Sequence, residues 1–420
     1  MDGSTPIGKM APHVAVPGKH AGMGFREFVA IVAAMMAMNA LAIDTMLPAL
    51  PQIGGSLGIA EENSRQWIVT AFLLGFGFAQ IVYGPLSDRM GRRPLLLGGM
   101  AFYALFSTGA ALSTSFPMLL VFRVLQGFAV ASTRVVTVSM VRDCYGGRQM
   151  ARVMSLAFMV FLAVPALAPS IGQLIMQIFP WRGLFAVLAI YGLVVLAWAV
   201  RRLPETLHPE FRRPMDVGTV FAALRTALTT RQSLGYMLTQ MVITGALFGF
   251  INSVEQIFRD DFHAPRLMPI IFASIAGTMG IASLINSRIV ERLGTRRVSH
   301  TALIGFIVAE VIHLGIVLSG GETMLTFAIC QALTMFCFGL MMGNFGAMAM
   351  EPLAEIAGTA ASVQGFVTTV GGAAIGFAIG QHFDGTTLPM VAGFALAGTL
   401  GLAIVFVTEG GKLFQPHMGQ

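Results

Sequence analysis

The sequence predicts an all-α integral membrane protein with twelve transmembrane helices in two six-helix pseudo-repeats. Three observations carry this. Hydrophobic residues make up 55% of the chain and charged residues 11%, where a soluble domain carries about a quarter charged residues. Apolar runs long enough to cross a hydrocarbon core, about 20 residues each, recur along the 420 residues. Finally, the basic stretch Gly84-Pro85-Leu86-Ser87-Asp88-Arg89-Met90-Gly91-Arg92-Arg93 returns in weaker form 203 positions later, where Glu291-Arg292-Leu293-Gly294 aligns with Asp88-Arg89-Met90-Gly91 and a basic pair follows each. An offset close to half the chain implies a duplicated bundle.

Residues 1–27 read as a cytoplasmic tail: Met1 to Gly24 is polar, rich in Gly and Pro, and lacks the apolar core of a cleavable signal. The first six-helix bundle is expected over 28–200, with spans near 28–50, 65–83, 95–113, 117–141, 151–177 and 182–200. Pro51 marks the outer end of the first. Between the second and third lies the basic stretch; seven of its ten residues are Gly, Pro or charged, so a tight turn is expected there rather than a continuous helix. Residues 201–232 form a cytoplasmic linker with six arginines and three prolines, and a short amphipathic helix is expected near 217–227. The second bundle, 233–408, holds spans near 234–257, 267–287, 298–318, 324–348, 357–381 and 388–408. Residues 409–420 form a second cytoplasmic tail.

Twenty of the 26 Lys and Arg residues fall on one side of this topology, four on the other and two inside a span. The richer side is cytoplasmic by the positive-inside rule. Both termini lie there, and the address is the bacterial cytoplasmic (inner) membrane. The net charge of +6 reflects that asymmetry and a surface facing anionic lipid, with no nucleic-acid partner. Cys144, Cys330 and Cys337 have neither metal-site nor disulfide spacing, and the methionines read as helix packing.

The stretch Gly84-x-x-x-Asp88-Arg89-x-Gly91-Arg92-Arg93 resembles the signature loop between helices 2 and 3 of the major facilitator superfamily. Ala42-Ile43-Asp44-Thr45-Met46-Leu47-Pro48-Ala49-Leu50-Pro51 and Val164-Pro165-Ala166-Leu167-Ala168-Pro169-Ser170-Ile171-Gly172 resemble its bicyclomycin/chloramphenicol-resistance branch of drug:proton antiporters. The resemblance implies the major facilitator fold, in which spans 1 and 4 line a central cavity. It implies a gating loop of Gly84, Asp88, Arg89, Gly91, Arg92 and Arg93. There Asp88 would face the start of span 11 near Ala357 and Arg92 would reach Asp143, contacts that hold in the outward-open state. It also implies a helix-packing motif at Pro165, Pro169 and Gly172. Ala168 stands where the family's antiporter motif has a Gly, and Gln173 where it has the second of two. The plainer readings are a generic positive turn and a kinked packing helix.

Ionisable groups inside membrane spans are costly and default to function. Those in this chain are Asp44, Arg123, Arg134, Glu310 and His313, with Glu255 at a span rim. Asp44 is seven residues before Pro51, about 10 Å deep, and Arg123 is six past Pro117, about 9 Å deep on an opposed helix. The two can neutralise each other as a proton-coupling pair or a static ion pair, and the motif around Arg123 resembles the family's proton-coupling one. Arg134 returns to nearly the same face eleven residues later, placing Gln126, Val130 and Arg134 in one stripe. Arg134 either attracts an anionic or carbonyl-bearing substrate or snorkels to the surface. Asn39, Gln126, Arg134, Asn344 and Gln364 are the expected substrate-cavity residues, with Gln80, Tyr83 and Asn252 as further polar candidates. Glu310 and His313 share one face of span 9 and read as a local pair.

No Walker-type nucleotide loop is present, and no catalytic or metal-ligating set is expected. The expectation is therefore not an enzyme but a cofactor-free, monomeric pump driven by the proton gradient. Its partners would be protons, the lipid bilayer and a small-molecule substrate. It would export small, mostly apolar, drug-like compounds by alternating access. Export or symport of a metabolite or amino acid is the alternative within transporters, and a non-transporting receptor or scaffold the alternative outside them.

Overall fold

The computed structural model describes residues 23–145, 147–207, 210 and 217–415. Most of the 1–27 tail, the middle of the 201–232 linker and the last five residues lie outside the described residues. Described residues in regular structure are helical, with no strand among them. The helices are α1 (Phe25–Asp44), α2 (Leu50–Ser56), α3 (Trp67–Met90), α4 (Arg92–Ala111), α5 (Phe116–Cys144), α6 (Gly147–Ile178), α7 (Arg182–Arg202), α8 (Val217–Thr229), α9 (Arg231–Gln256), α10 (Met268–Leu293), α11 (Thr295–Leu318), α12 (Met324–Met350), α13 (Ala357–Phe366), α14 (Gly372–Gln381) and α15 (Leu388–Thr408). Eleven described stretches are long and apolar enough to cross a membrane. A shorter apolar piece, Ala163–Ile178, lies within α6. Exposed Leu105, Ile190, Val194, Ile270, Leu284, Ile312 and Leu396 form the outward apolar surface that such helices present to lipid.

The duplication read from the basic stretch extends to the packing. Four pairings recur in each half: α3 on α5 and α10 on α12; α4 on α5 and α11 on α12; α4 on α7 and α11 on α15; α1 on α6 and α9 on α14. The halves meet through α6 against α10 and α3 against α13, which are themselves counterparts under the repeat. At each basic turn the break falls on one glycine: Gly91 at φ 100°, ψ 160° and Gly294 at φ 81°, ψ 152°. Only glycine adopts such a φ without strain.

Two boundaries differ from expectation. The basic stretch is helical through Met90, with Pro85 inside α3, and the chain turns only at Gly91. Helix-breaking residues there are outweighed locally. The Ser87 hydroxyl donates to the Gly84 carbonyl at 2.9 Å. Gly84 itself allows close approach to α13, since a Cβ there would lie 2.6 Å from Ser362 Oγ. Span 1 likewise does not stop at Pro51. Pro48 and Pro51 each sit in the first turn of a helical segment, where the missing N–H costs nothing, and the helical stretch continues to Ser56. Asp44 thus ends α1, twelve residues before the close of α2 and about 18 Å from that end, at a helix break.

Candidate functional site

A cavity of about 380 Å³ opens between the halves, on the side of the molecule that carries the basic turns. Gln80, Gly84 and Asp88 of α3, Arg134, Ser139 and Arg142 of α5, Gln240 of α9, and Ser362 and Gln364 of α13 line it. Arg134 is exposed to it, and its guanidinium lies 5.9 Å from the centroid of the Phe76 ring, within reach of a cation–π contact. Gln364 donates to Gln240 Oε1 at 2.7 Å, and Gln80 donates to Thr369 Oγ1 at 3.0 Å across the two halves. Thr369 belongs to a π-helical turn, Val367–Gly371, between α13 and α14. The wall is more polar than a mostly apolar cargo would require.

At the opposite end the halves are sealed. Gln66 donates to Gln256 Oε1 at 2.8 Å and to the Gly380 carbonyl at 2.9 Å. Gln256 donates to Asn63 Oδ1 at 2.8 Å, and Gln381 to the Asn63 carbonyl at 2.7 Å and Gln66 Oε1 at 3.1 Å. Arg259 and Glu62 pair at 2.8 Å on the rim. Sequence reasoning missed this seam, as it missed Gln240, because its members come from positions 63, 66, 256 and 381. Their only advance signal was being amides near span ends.

Asp44 and Arg123 are both buried, but the structure does not pair them. Asp44 Oδ1 has no hydrogen-bond partner, and no ion pair involves Asp44 among the described residues. Arg123 turns into its own bundle: Nε donates to the Ile68 carbonyl at 2.9 Å, Nη1 to Gln126 Oε1 at 2.5 Å, and the guanidinium lies 4.4 Å from the Phe72 centroid. Its Nη2 is unpartnered. Gln126 donates onward to Ser107 Oγ of α4 at 2.6 Å. Gln126 and Val130 are therefore buried against neighbouring helices, and of the expected stripe only Arg134 reaches the cavity. Asn344 also departs from expectation: it binds Asn286 of α10 at 2.9 Å and does not line the cavity. Asn39 is buried, its Oδ1 unpartnered, and is likewise off the cavity wall. Gln364 is on the wall.

The basic turn is clamped by Arg92, whose side chain is 4% exposed. Its Nη1 donates to Ser87 Oγ and Asp88 Oδ1, each at 2.6 Å, and its Nε to Asp143 Oδ2 at 3.0 Å. The partner Asp143 is the one expected, but the bond is formed with the cavity open on the side of the basic turns, whereas the expectation placed it in the outward-open state. Asp88 instead pairs with Arg92, while lining the cavity across from Gly358 and Thr359 in the first turn of α13. Arg89 is exposed, and Arg93 donates to the Val200 carbonyl at 2.9 Å. Glu205, read only as linker, accepts from the Arg92 and Arg93 backbone N–H groups at 2.9 and 3.3 Å, the favourable place for an anion at the start of α4. We predict that Arg92→Ala lowers stability by about 2–3 kcal/mol, since it strips charged hydrogen bonds from three acceptors at once. Arg92→Lys should restore little of that, having no guanidinium fork. Thermal melts of the purified variants check this; a Lys variant melting with the parent would show that charge alone suffices.

α6 is helical across Pro165 and Pro169, and Gly172 meets span 1 at its break. A Cβ on Gly172 would lie 1.9 Å from the Thr45 carbonyl oxygen, the residue after Asp44. In α11, Glu310 Oε1 accepts from Thr334 at 2.6 Å, and His313 Nε2 lies 2.8 Å from Glu322 Oε1. The two side chains are fully buried and 3.8 Å apart, away from the cavity wall.

Two six-helix bundles related by an internal repeat, closed together at one face with a polar cavity at the other, define a membrane transporter. The family model for the Major Facilitator Superfamily matches residues 32–378, and the chain belongs to that superfamily as a multi-pass membrane protein. It is 29% identical over 388 residues to the Bacillus subtilis protein named uncharacterized MFS-type transporter YdgK, covering 91% of this chain and 95% of that one. It is 28% identical over 369 residues to the bicyclomycin resistance protein homolog of Haemophilus influenzae, covering 87% and 91%. Among solved structures it resembles the partially occluded, inward-open xylose transporter XylE of E. coli, with a TM-score of 0.70, 12% identity, and 94% and 99% coverage. That likeness concerns the fold.

Proposed function

We propose that this protein is a proton-coupled exporter of small drug-like compounds. It sits in the bacterial cytoplasmic membrane with the basic turns, both termini and the cavity mouth on the cytoplasmic side. Units 28–200 and 233–408 rock about the cavity, and the conformation described here is the inward-facing one. The observation that carries the reading is Asp44: a buried carboxyl without an ionic partner, at a helix break in the first span. Intramembrane carboxyls of this kind mark proton or ion pathways. Similarity to a bicyclomycin resistance protein homolog supports the export direction and the cargo class. The outer seam of Asn63, Gln66, Gln256 and Gln381 is the gate that parts when the protein turns outward. The Asp88–Arg92–Asp143 cluster lies within the first half and stands formed while the cavity is open, so the cytoplasmic latch is Asp88 meeting the start of α13 when the cavity closes.

Everted vesicles energised by respiration and offered a panel of antibiotics test this. Compounds are expected to accumulate inside together with proton movement out of the vesicle lumen. Proton movement of the opposite sign would make the protein a symporter, and cargo-independent proton movement would remove coupling altogether.

A further inference from the structure

We propose that the cavity selects compounds that carry a negative charge, with Arg134 as the residue that recognises it. The inference rests on the cavity being the transport path and goes beyond it by naming the charge of the cargo. Two guanidinium groups, Arg134 and Arg142, line the wall of α5. Among the described residues neither makes a salt bridge. The one acid on the wall is Asp88, and its Oδ1 is already bound to Arg92 at 2.6 Å. The remaining polar lining is amide and hydroxyl, with no charge to answer the two cations.

The two arginines differ in what explains them. Arg142 is in the last turn of α5, where the helix dipole favours a cation and a basic surface is ordinary. Arg134 is ten residues from the end of α5, about 15 Å into the bundle, and its guanidinium meets only the face of Phe76. A cation held in a half-enclosed polar cavity without a counter-ion gains most from an anion that binds there and displaces water. The fork of a guanidinium matches a carboxylate, sulfonate or phosphate through two parallel hydrogen bonds. Val135 and Val138 on the same wall and the amides of Gln80, Gln240 and Gln364 suit an apolar or carbonyl-rich body attached to that anion, while Phe76 lies buried behind Arg134. Cargo of the proposed kind is therefore an amphiphilic organic anion.

The test needs no knowledge of the cargo. In a variant lacking Cys144, Cys330 and Cys337, a cysteine is placed at Ser139, on the cavity wall between the two arginines. Its modification rates by 2-sulfonatoethyl methanethiosulfonate and by the trimethylammonium analogue are compared in phospholipid-free detergent. Ser319→Cys, on the far surface, serves as the reference. Relative to that reference, the anionic reagent is expected to gain about tenfold, the low end of what a charged cleft contributes to encounter rates, and to lose the gain as salt rises. Arg134→Gln should erase most of the preference and Arg134→Lys should keep it. Equal rates, a preference for the cation, no reaction with either reagent, or a preference indifferent to Arg134→Gln would each overturn the inference. Preference appearing only when anionic phospholipid is removed competitively, with excess lipid restoring equal rates, would assign the site to a lipid headgroup instead and overturn it as a cargo site. Proton-driven efflux in vesicles is scored separately, so export of neutral compounds alone would leave the proposed function standing and remove this one.

Discussion

Asp44→Asn is expected to abolish uphill, proton-driven efflux while leaving the cavity able to bind cargo and to exchange it downhill. The carboxyl ends α1 at the point where span 1 breaks into a 3₁₀ turn and α2, so a small change in that break re-aims it. In the conformation described here Arg123 is committed to the Ile68 carbonyl and Gln126, and Asp44 has no ionic partner. A proton is the smallest group that can take that partner's place, because burial disfavours an isolated carboxylate and a nearby guanidinium restores it. We therefore expect the proton to bind Asp44 when Arg123 is turned away and to leave when the rocking of the bundles brings a charge or cargo near. Asn fills the same volume but never changes charge, so the cycle loses its energy source and keeps its geometry. Arg123→Ala should also uncouple transport, and by a second route, since it opens a void among Phe72, Gln126 and Ile68. Proton release from detergent-solubilised protein on adding cargo is the decisive measurement. If Asp44→Asn releases protons as the parent does, coupling lies elsewhere, and the buried Glu310–His313 pair becomes the next group to test.

Gly172→Val should be a severely damaging packing change. The first added carbon would sit 1.9 Å from the Thr45 carbonyl oxygen, a backbone atom that cannot rotate aside. α6 must then move off span 1 directly beside Asp44. Overpacking of a core costs about 1–3 kcal/mol even where side chains can yield, and here the opposing atom is main chain. We predict a sharp fall in folded yield and melting temperature, with coupling lost in whatever protein remains. Gly277→Val is the control: it adds the same side chain to α10, where no atom lies within 4 Å of the new Cβ, and should behave as the parent. Equal melting of the two variants would show that α6 repacks freely and that Gly172 is not a contact point.

What could be read from the chain without coordinates was whatever depends on position along a helix axis. The spans and the duplication are of that kind, because a run of apolar residues and a repeated Gly91/Gly294 turn are local facts; the reach of Arg92 to Asp143 came instead from the family resemblance of the basic stretch. Rotation about the axis was not legible. Depth placed Asp44 and Arg123 at one level, but the helical stretch of span 1 runs on to Ser56, so Asp44 lies deeper than its distance from Pro51 implied, and Arg123 turns towards α3. Helical periodicity put Gln126 and Arg134 on one stripe, yet Gln126 meets Ser107 of α4 while Arg134, two turns further along, meets open space. A helix that leaves its neighbour changes surroundings within one face, and the sequence of that helix alone does not record where. The basic stretch misled in the other direction. Its Gly and Pro suggested an early break, but the penalties are small beside the contacts of Gly84 with Ser362 and of Arg92 with three acceptors.

The seam at the closed face has a consequence for leakage. Its interior bonds run between amides and backbone carbonyls, groups that do not gain or lose a proton across the pH range a bacterium meets. The Glu62–Arg259 pair at its rim is exposed and adds about 1 kcal/mol at most. Arg259 also pairs with buried Glu255 at 3.6 Å and with Asp260 at 2.7 Å, so acidity outside acts on this carboxylate rim and leaves the amide interior of the seam unchanged. If the seam were built from carboxylates, the gradient that powers transport would also melt the barrier it works across. With amides in its interior, an external proton reaches the buried acid of span 1 when the seam parts, so each opening admits a stoichiometric visitor rather than a current.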